Sequence, residues 1–439
     1  MTGAAVAHYR RGFQEIEGTL AGPDWVRKLR RDALARFADT GFPTTADEDW
    51  RYTNVAPIAS TPFRPGMPGA APDAATVAAF LPAGASCARL VFLDGHFVPS
   101  LSQATLMPAG SFAGSLADAL RRSPDLVEPH LRASLDRNQG AFSALNAAFF
   151  ADGAFLHLPR GCCLPEPIYV LHFSSNGATP VATHPRSLFL AGESSHASVA
   201  EIYAGRGAGA CLTNAVTEVV AGANASFEHI RIQAEGPRAF HVSSVLSRQE
   251  RDTNYAARAF LFGAALSRND HWAILDGEGA NAVLDGLYLA GGTTHVDCHT
   301  GIEHRKPNGA SREVYKGILA GRAAAVFHGR IHVHPGAQKT DAKQSNANLL
   351  LSREAVIDTK PQLEIYANDV KCTHGATIGR LDADSLFYLR ARGIQAGEAR
   401  TMLIRAFAHE VTERVRVQPA RERLLEMFDA RLLVAGEPA

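Results

Sequence analysis

The sequence predicts a mainly β protein, with a long run of short strands in the middle of the chain and helical segments before and after it. Two observations carry that expectation. From about residue 154 to 370, runs such as Leu188-Phe189-Leu190, Ala197-Ser198-Val199-Ala200-Glu201-Ile202 and Ala225-Ser226-Phe227-Glu228-His229-Ile230 alternate apolar and polar residues between glycines. The second is repetition. LAGESSHASVAEI from 190 echoes VAGANASFEHI from 220. Gly192 and Gly222 lie thirty residues apart, as do Gly291 and Gly321, and Gly263, Gly277 and Gly291 follow at intervals of fourteen. Such a chain builds a sandwich, a barrel or a β-solenoid, and the repeat favours the solenoid.

The flanking elements follow from periodicity. Phe13, Ile16 and Leu20, then Trp25, Val26, Leu29, Leu34 and Phe37, recur at helical spacing among Arg and Glu, so residues 1–75 read as a helical arm ending in the Pro/Gly/Ala-rich linker 57–75. Residues 76–150 form a small mixed unit: a strand, Arg89–Leu93, precedes helical patterns near 115–122, 124–135 and 140–150. The strand-rich core occupies 151–378. Helices return over 379–439, where Ser385–Leu389, Ala399–Val417 and about 420–432 carry apolar faces. A helical bundle there is expected to cap the open end of the solenoid.

Composition bounds the function. The chain has 439 residues, 46% hydrophobic and 20% charged, enough for a large core. Its 44 basic and 44 acidic residues balance, so no global field favours nucleic acid or an anionic membrane. No stretch approaches the roughly 18 continuous apolar residues of a membrane span, and a cytoplasmic location is expected. Six cysteines, Cys87, Cys162, Cys163, Cys211, Cys298 and Cys372, are spread too thinly for a disulfide framework and contain no C-x-x-C pair. Reduced thiols are expected, with no resident cofactor or metal on the isolated chain.

Phosphate-binding loops, nucleophile elbows and zinc-protease helices are all missing, so neither ATP hydrolysis nor common hydrolase chemistry is expected, and no catalytic residue is assigned. Three clusters offer ligand chemistry. In Phe327–Gly336, His332 and His334 alternate onto one strand face and offer a metal two imidazoles, but Gln338, Lys339 and Asp341 follow where a cupin-like site would place Glu. Val296-Asp297-Cys298-His299 contains ligand types that a strand also uses structurally. In Asn368–Gly379, Cys372 and His374 share a face if extended. A thiolate and an imidazole can jointly hold iron, and the same two residues also suit a buried thiol beside a capping histidine. Two ligands leave such a site half-built.

DEDWRYT at 47–53, LVFLDGHFVPSLS at 90–102, FSALNAAFFADGAFLHLPRG at 142–161, and the run from HGRIHVHPGAQKTDAKQSNANLLLS through DVKCTHGATIGRLDADSLFYLRARGI resemble the SufB/SufD family of iron–sulfur cluster assembly scaffolds, SufD branch. The resemblance spans most of the chain and is densest over 328–394. His374-Gly375 stands where SufB-like chains tend to show His-Glu. The resemblance implies a right-handed parallel β-helix core with flanking helical domains. It implies a non-catalytic subunit that pairs with a SufB-like sister and docks SufC-like ATPases through its C-terminal helices. Cys372 and His374 match the family's Cys-x-His positions, with His374 the better candidate ligand of a transient iron–sulfur cluster at the interface between the two scaffolds. ATPase dimerisation would then shift the paired β-helices and expose the two side chains. A reduced flavin in the assembled complex and a self-dimer of the chain alone are further implications. Two other readings stay open: a β-helical polysaccharide-active enzyme using acids such as Asp297, Asp341 and Asp358, or a homo-oligomeric structural protein.

Overall fold

The computed structural model describes residues 2–20, 22–69, 72–82, 88–104, 107–137, 140–175, 177–207 and 209–435. Its centre is a parallel β-solenoid of about eight turns, with helices at both termini. Each coil contributes one strand to each of two sheets. Ala154–Leu158, Arg186–Ala191, Cys211–Ala221, Ala239–Gln249, Leu266–Leu275, His295–His304, Ala324–Val333 and Val356–Ile365 stack in order in the first. Ile168–Ser174, His196–Gly205, Ser226–Gln233, Asn254–Leu261, Asn281–Ala290, Ala310–Leu319, Asp341–Leu350 and Lys371–Gly379 stack in the second.

The glycine rhythm is the rhythm of the coils. Gly192 and Gly222 sit at successive corners, where a Cβ on Gly222 would come within 2.9 Å of the Glu193 amide and one on Gly192 within 2.6 Å of the Leu158 carbonyl. Only glycine lets the corners stack that closely. Gly263, Gly277 and Gly291 fall at alternate corners, so the interval of fourteen is half a coil. The Gly291–Gly321 spacing pairs differently than expected. Gly321 packs on Gly292, both with positive φ, because that coil is one residue shorter.

Alternation along each strand divides the side chains. Inward residues such as Phe189, Val219, Phe227, Tyr255, Leu284 and Phe327 fill the space between the sheets. Outward apolar residues seat the helices. On the first sheet, Ala182, Leu212, Val242 and Leu266 receive Tyr9, Phe13, Phe37 and Phe149 from the N-terminal helices Thr2–Ile16 and Asp24–Thr40 and from the helix Ala141–Phe149, with Phe42 from just beyond the second helix. On the second, Ile202, Ile232, Phe260, Leu287 and Val314 receive Ile404, Val411, Leu424 and Phe428 from helices Ala396–Thr412 and Gln418–Ala435.

This placement corrects one expectation. The C-terminal helices lie along the flank of the second sheet and do not cover the end of the solenoid. Their apolar stripes match the outward column of that sheet, whereas the last strands offer mainly edge hydrogen-bonding groups. Among the described residues, no helix is long and apolar enough to cross a membrane.

Candidate functional site

The solenoid ends in two strands that each pair on one side only. Val356–Ile365 closes the first sheet against Ala324–Val333, and Lys371–Gly379 closes the second against Asp341–Leu350. Strand register then fixes where the candidate ligands point. Cys372 continues an inward column through Ala342, Ser311, Ala282 and Tyr255, and His374 continues one through Gln344, Glu313 and Leu284. Both residues therefore stand at the mouth of the solenoid interior. The extended conformation that puts them on one face is the observed one.

Their surroundings differ. Cys372 is half-buried against the interior cluster, and that burial pushes its thiol above the ordinary value, a backbone hydrogen bond from Ala342 partly offsetting it. A metal ion must therefore displace the thiol proton to bind sulfur. His374 is exposed. Beneath it the interior turns polar. Gln344 Nε2 donates to Glu313 Oε2 at 2.7 Å. Gly329 faces that amide from the first sheet, where a Cβ would come within 2.3 Å of it. Burial pushes the Glu313 carboxyl up to about 7, against the lowering effect of hydrogen bonds from Thr300 and Gln344.

His332 is an outward residue of the first sheet and His334 lies in the turn after its strand, their rings 4.3 Å apart. Carboxylates missing from the local sequence arrive from neighbouring coils. His332 Nδ1 lies 2.9 Å from Glu364 Oε2, and Glu303 is its register partner on the other side. A group of three candidate metal ligands forms elsewhere among the described residues, from Asp49, His299 and His328. Glu303, His332 and Glu364, like His299 and His328, lie about one coil apart, so the glycine period applied to His and Glu finds those pairs, whereas Asp49 comes from a distant part of the chain. Of the three acids considered for polysaccharide chemistry, Asp297 and Asp358 line one cleft while Asp341 sits on the other sheet.

Comparison with known proteins places this geometry. A sequence model described as the SufBD core domain of SUF-system FeS cluster assembly matches residues 173–407, and one for the SufBD N-terminal region matches residues 6–170. The chain belongs to the SufBD family. It is 32% identical over 420 residues to the iron–sulfur cluster assembly protein SufD of Escherichia coli, covering 95% of each chain. A SufBD family protein of Synechocystis is 32% identical over 92% of this chain and 90% of its own length. SufD of Bacillus subtilis is 26% identical, with 93% and 94% covered. This SufBD family chain is accordingly an iron–sulfur cluster assembly protein and a homologue of SufD.

Proposed function

We propose that the chain is a non-catalytic cytoplasmic scaffold subunit that pairs through the open end of its solenoid with a SufB-like sister and lends Cys372 and His374 to a nascent iron–sulfur cluster. The observation that carries this reading is the open end itself. Two edge strands with unpaired backbone groups lie beside exposed Val356, Ile365, Tyr366 and Ile378. Folded proteins protect such edges, and an unprotected one with apolar side chains marks a surface that a partner covers. Cys372 and His374 occupy that same last coil.

The two residues divide the chemistry. Cys372 supplies a soft thiolate once an iron ion displaces its proton, and the exposed His374 imidazole reaches toward the partner, whose ligands complete the site. Docking of a SufC-like ATPase is assigned to the helix Ala383–Ala391, which has no buried residue and exposes Phe387 at 74% and Tyr388. Ordering that helix against an ATPase would bias the paired scaffolds between closed and open arrangements.

Anaerobic co-expression with SufB-like and SufC-like partners tests the reading. A mixed complex is expected, and His374→Ala should keep its mass while lowering iron and acid-labile sulfide. Recovery of self-dimers in place of a mixed complex would overturn the pairing. Metal content indifferent to His374 would overturn the site and leave the pairing standing.

A further inference from the structure

Besides His332 and His334, the fold brings a third set of candidate metal ligands together, far from Cys372 and His374. His299 and His328 are register partners on adjacent strands of the first sheet, both facing outward. Their rings meet edge to face with centroids 4.8 Å apart. Asp49 reaches them from the N-terminal region, in the short helical turn Glu48–Trp50. One ring nitrogen of each histidine and one Asp49 oxygen all lie within 4.8 Å of one another. Ligand atoms at about 2.0–2.2 Å from a shared ion stand roughly 3–4 Å apart, so a small rotation of the exposed Asp49 side chain closes the set.

The supports of the cluster are already built. The Asp49 carbonyl accepts a hydrogen bond from Arg268 Nη1 at 2.7 Å. The same guanidinium lies 4.3 Å over the Trp50 ring, which stacks on Phe142. Thr53 donates to Asp297 Oδ2 at 2.5 Å. These contacts fix the Asp-Trp-Arg-Tyr-Thr segment to the solenoid. Asp297 is buried, and its Oδ1, with no hydrogen-bond partner of good geometry, faces His299 Nε2 at 3.1 Å. Its Oδ2 accepts from Arg268 Nη1 at 2.7 Å. A carboxylate behind a histidine is the outer partner that metal-bound imidazoles use to fix their orientation. His328 Nε2 faces Gln362 Oε1 at 3.4 Å. Of the cations around the cleft, Lys360 is paired with Glu48 and Arg268 with Asp297 and Asp270, and Arg51 lies 5.8 Å from the Tyr52 ring.

We propose that Asp49, His299 and His328 bind one first-row divalent transition ion, such as Fe2+, Co2+ or Zn2+, and so pin the N-terminal segment to the solenoid. Two imidazoles and one carboxylate suit these ions and not Mg2+ or Ca2+, which take oxygen shells. Three protein ligands leave coordination positions facing a cleft of about 340 Å3, whose walls include Tyr52, Asp358 and Thr359. The inference does not depend on partner pairing.

The test is an anaerobic Co2+ titration of the chelator-treated full chain, read by the visible bands of the protein-bound ion. One Co2+ per chain is expected, displaced by Zn2+ and untouched by excess Mg2+. Asp49→Asn and His328→Gln should each weaken binding by at least about tenfold, the lower end of what loss of even an outer partner costs. The Cys372→Ser/His374→Ala double variant should bind as wild type does. Absence of bands in the wild type, or binding unchanged in Asp49→Asn, overturns the proposal. Loss of binding in the double variant alone moves the ion to the solenoid end and overturns it too. Asp49 is exposed, so its variant tests the site even if His328→Gln fails to fold, which circular dichroism reports.

Discussion

The two ends of the solenoid are finished in opposite ways. At the N-terminal end, Arg89–Leu93 adds a parallel strand beyond Ile168–Ser174, and Phe112–Ser115 turns back antiparallel on Ala154–Leu158. Phe92, Phe155 and Leu156 are buried there. At the C-terminal end no further strand among the described residues pairs with the last two, and Val356 and Ile378 are 53% and 52% exposed. The same coil geometry is thus sealed where the chain enters the solenoid and left open where the chain leaves it for the C-terminal helices. A repeat protein gains stability from each covered coil and leaves it unclaimed where coverage ends. The open end is therefore the place where a partner can supply what the chain does not.

Substitutions at two inward positions, one deep and one at the opening, sharpen that contrast. Phe227→Ala, deep in the interior, should cost about 3–5 kcal/mol in urea unfolding, while Ile378→Ala at the open end should change the isolated chain by no more than about 0.5 kcal/mol. A comparable loss at Ile378 would mean that the end is already covered, for instance by a second copy.

Glu313 gives a pH-dependent version of the same comparison, two coils in from the opening. Its folded pKa of about 7 lies above the ordinary 4.5, so between these values the folded chain holds a proton that the unfolded chain has released. Its contribution is full below pH 4.5 and is lost as pH rises through 7. The Glu313→Gln variant should therefore gain on wild type by about 3 kcal/mol between pH 4.5 and 8 in denaturant titrations. A parallel pair of profiles would show that the open end admits enough water to keep the carboxylate solvated.

A small effect is also expected at the surface ion pair Lys339–Asp369, at a corner of the last coil. Both side chains are exposed, so Asp369→Ala should shift stability by less than about 1 kcal/mol and lose even that in high salt. A larger change would mark the corner as structurally strained.

Much of this was legible in the sequence. Alternation and glycine spacing located the strands, because both depend on neighbours one or two residues away or on a period near thirty. The seat of the C-terminal helices was not legible. Ile202, Phe260 and Leu287 mark an apolar outer face, but nothing local says what covers it, so a cap over the solenoid end was as good a guess as a flank. Cys372 and His374 could be placed on one face, yet that this face is inward follows only from register with Ala342 and Gln344. The Asp49, His299 and His328 grouping needed the N-terminal turn to be docked, a contact between residues some 250 positions apart that no local pattern encodes.

The stacking of inward columns has a last consequence for how such a chain can vary. Every coil repeats the same lateral positions, so the number of coils sets how far the terminal Cys372 and His374 stand from the sealed end. Removing one whole coil would shorten the rod by about 4.8 Å and leave the two side chains facing the same way. Reach and ligand identity are thus separate variables in this architecture, one counted in coils and the other written into a single strand.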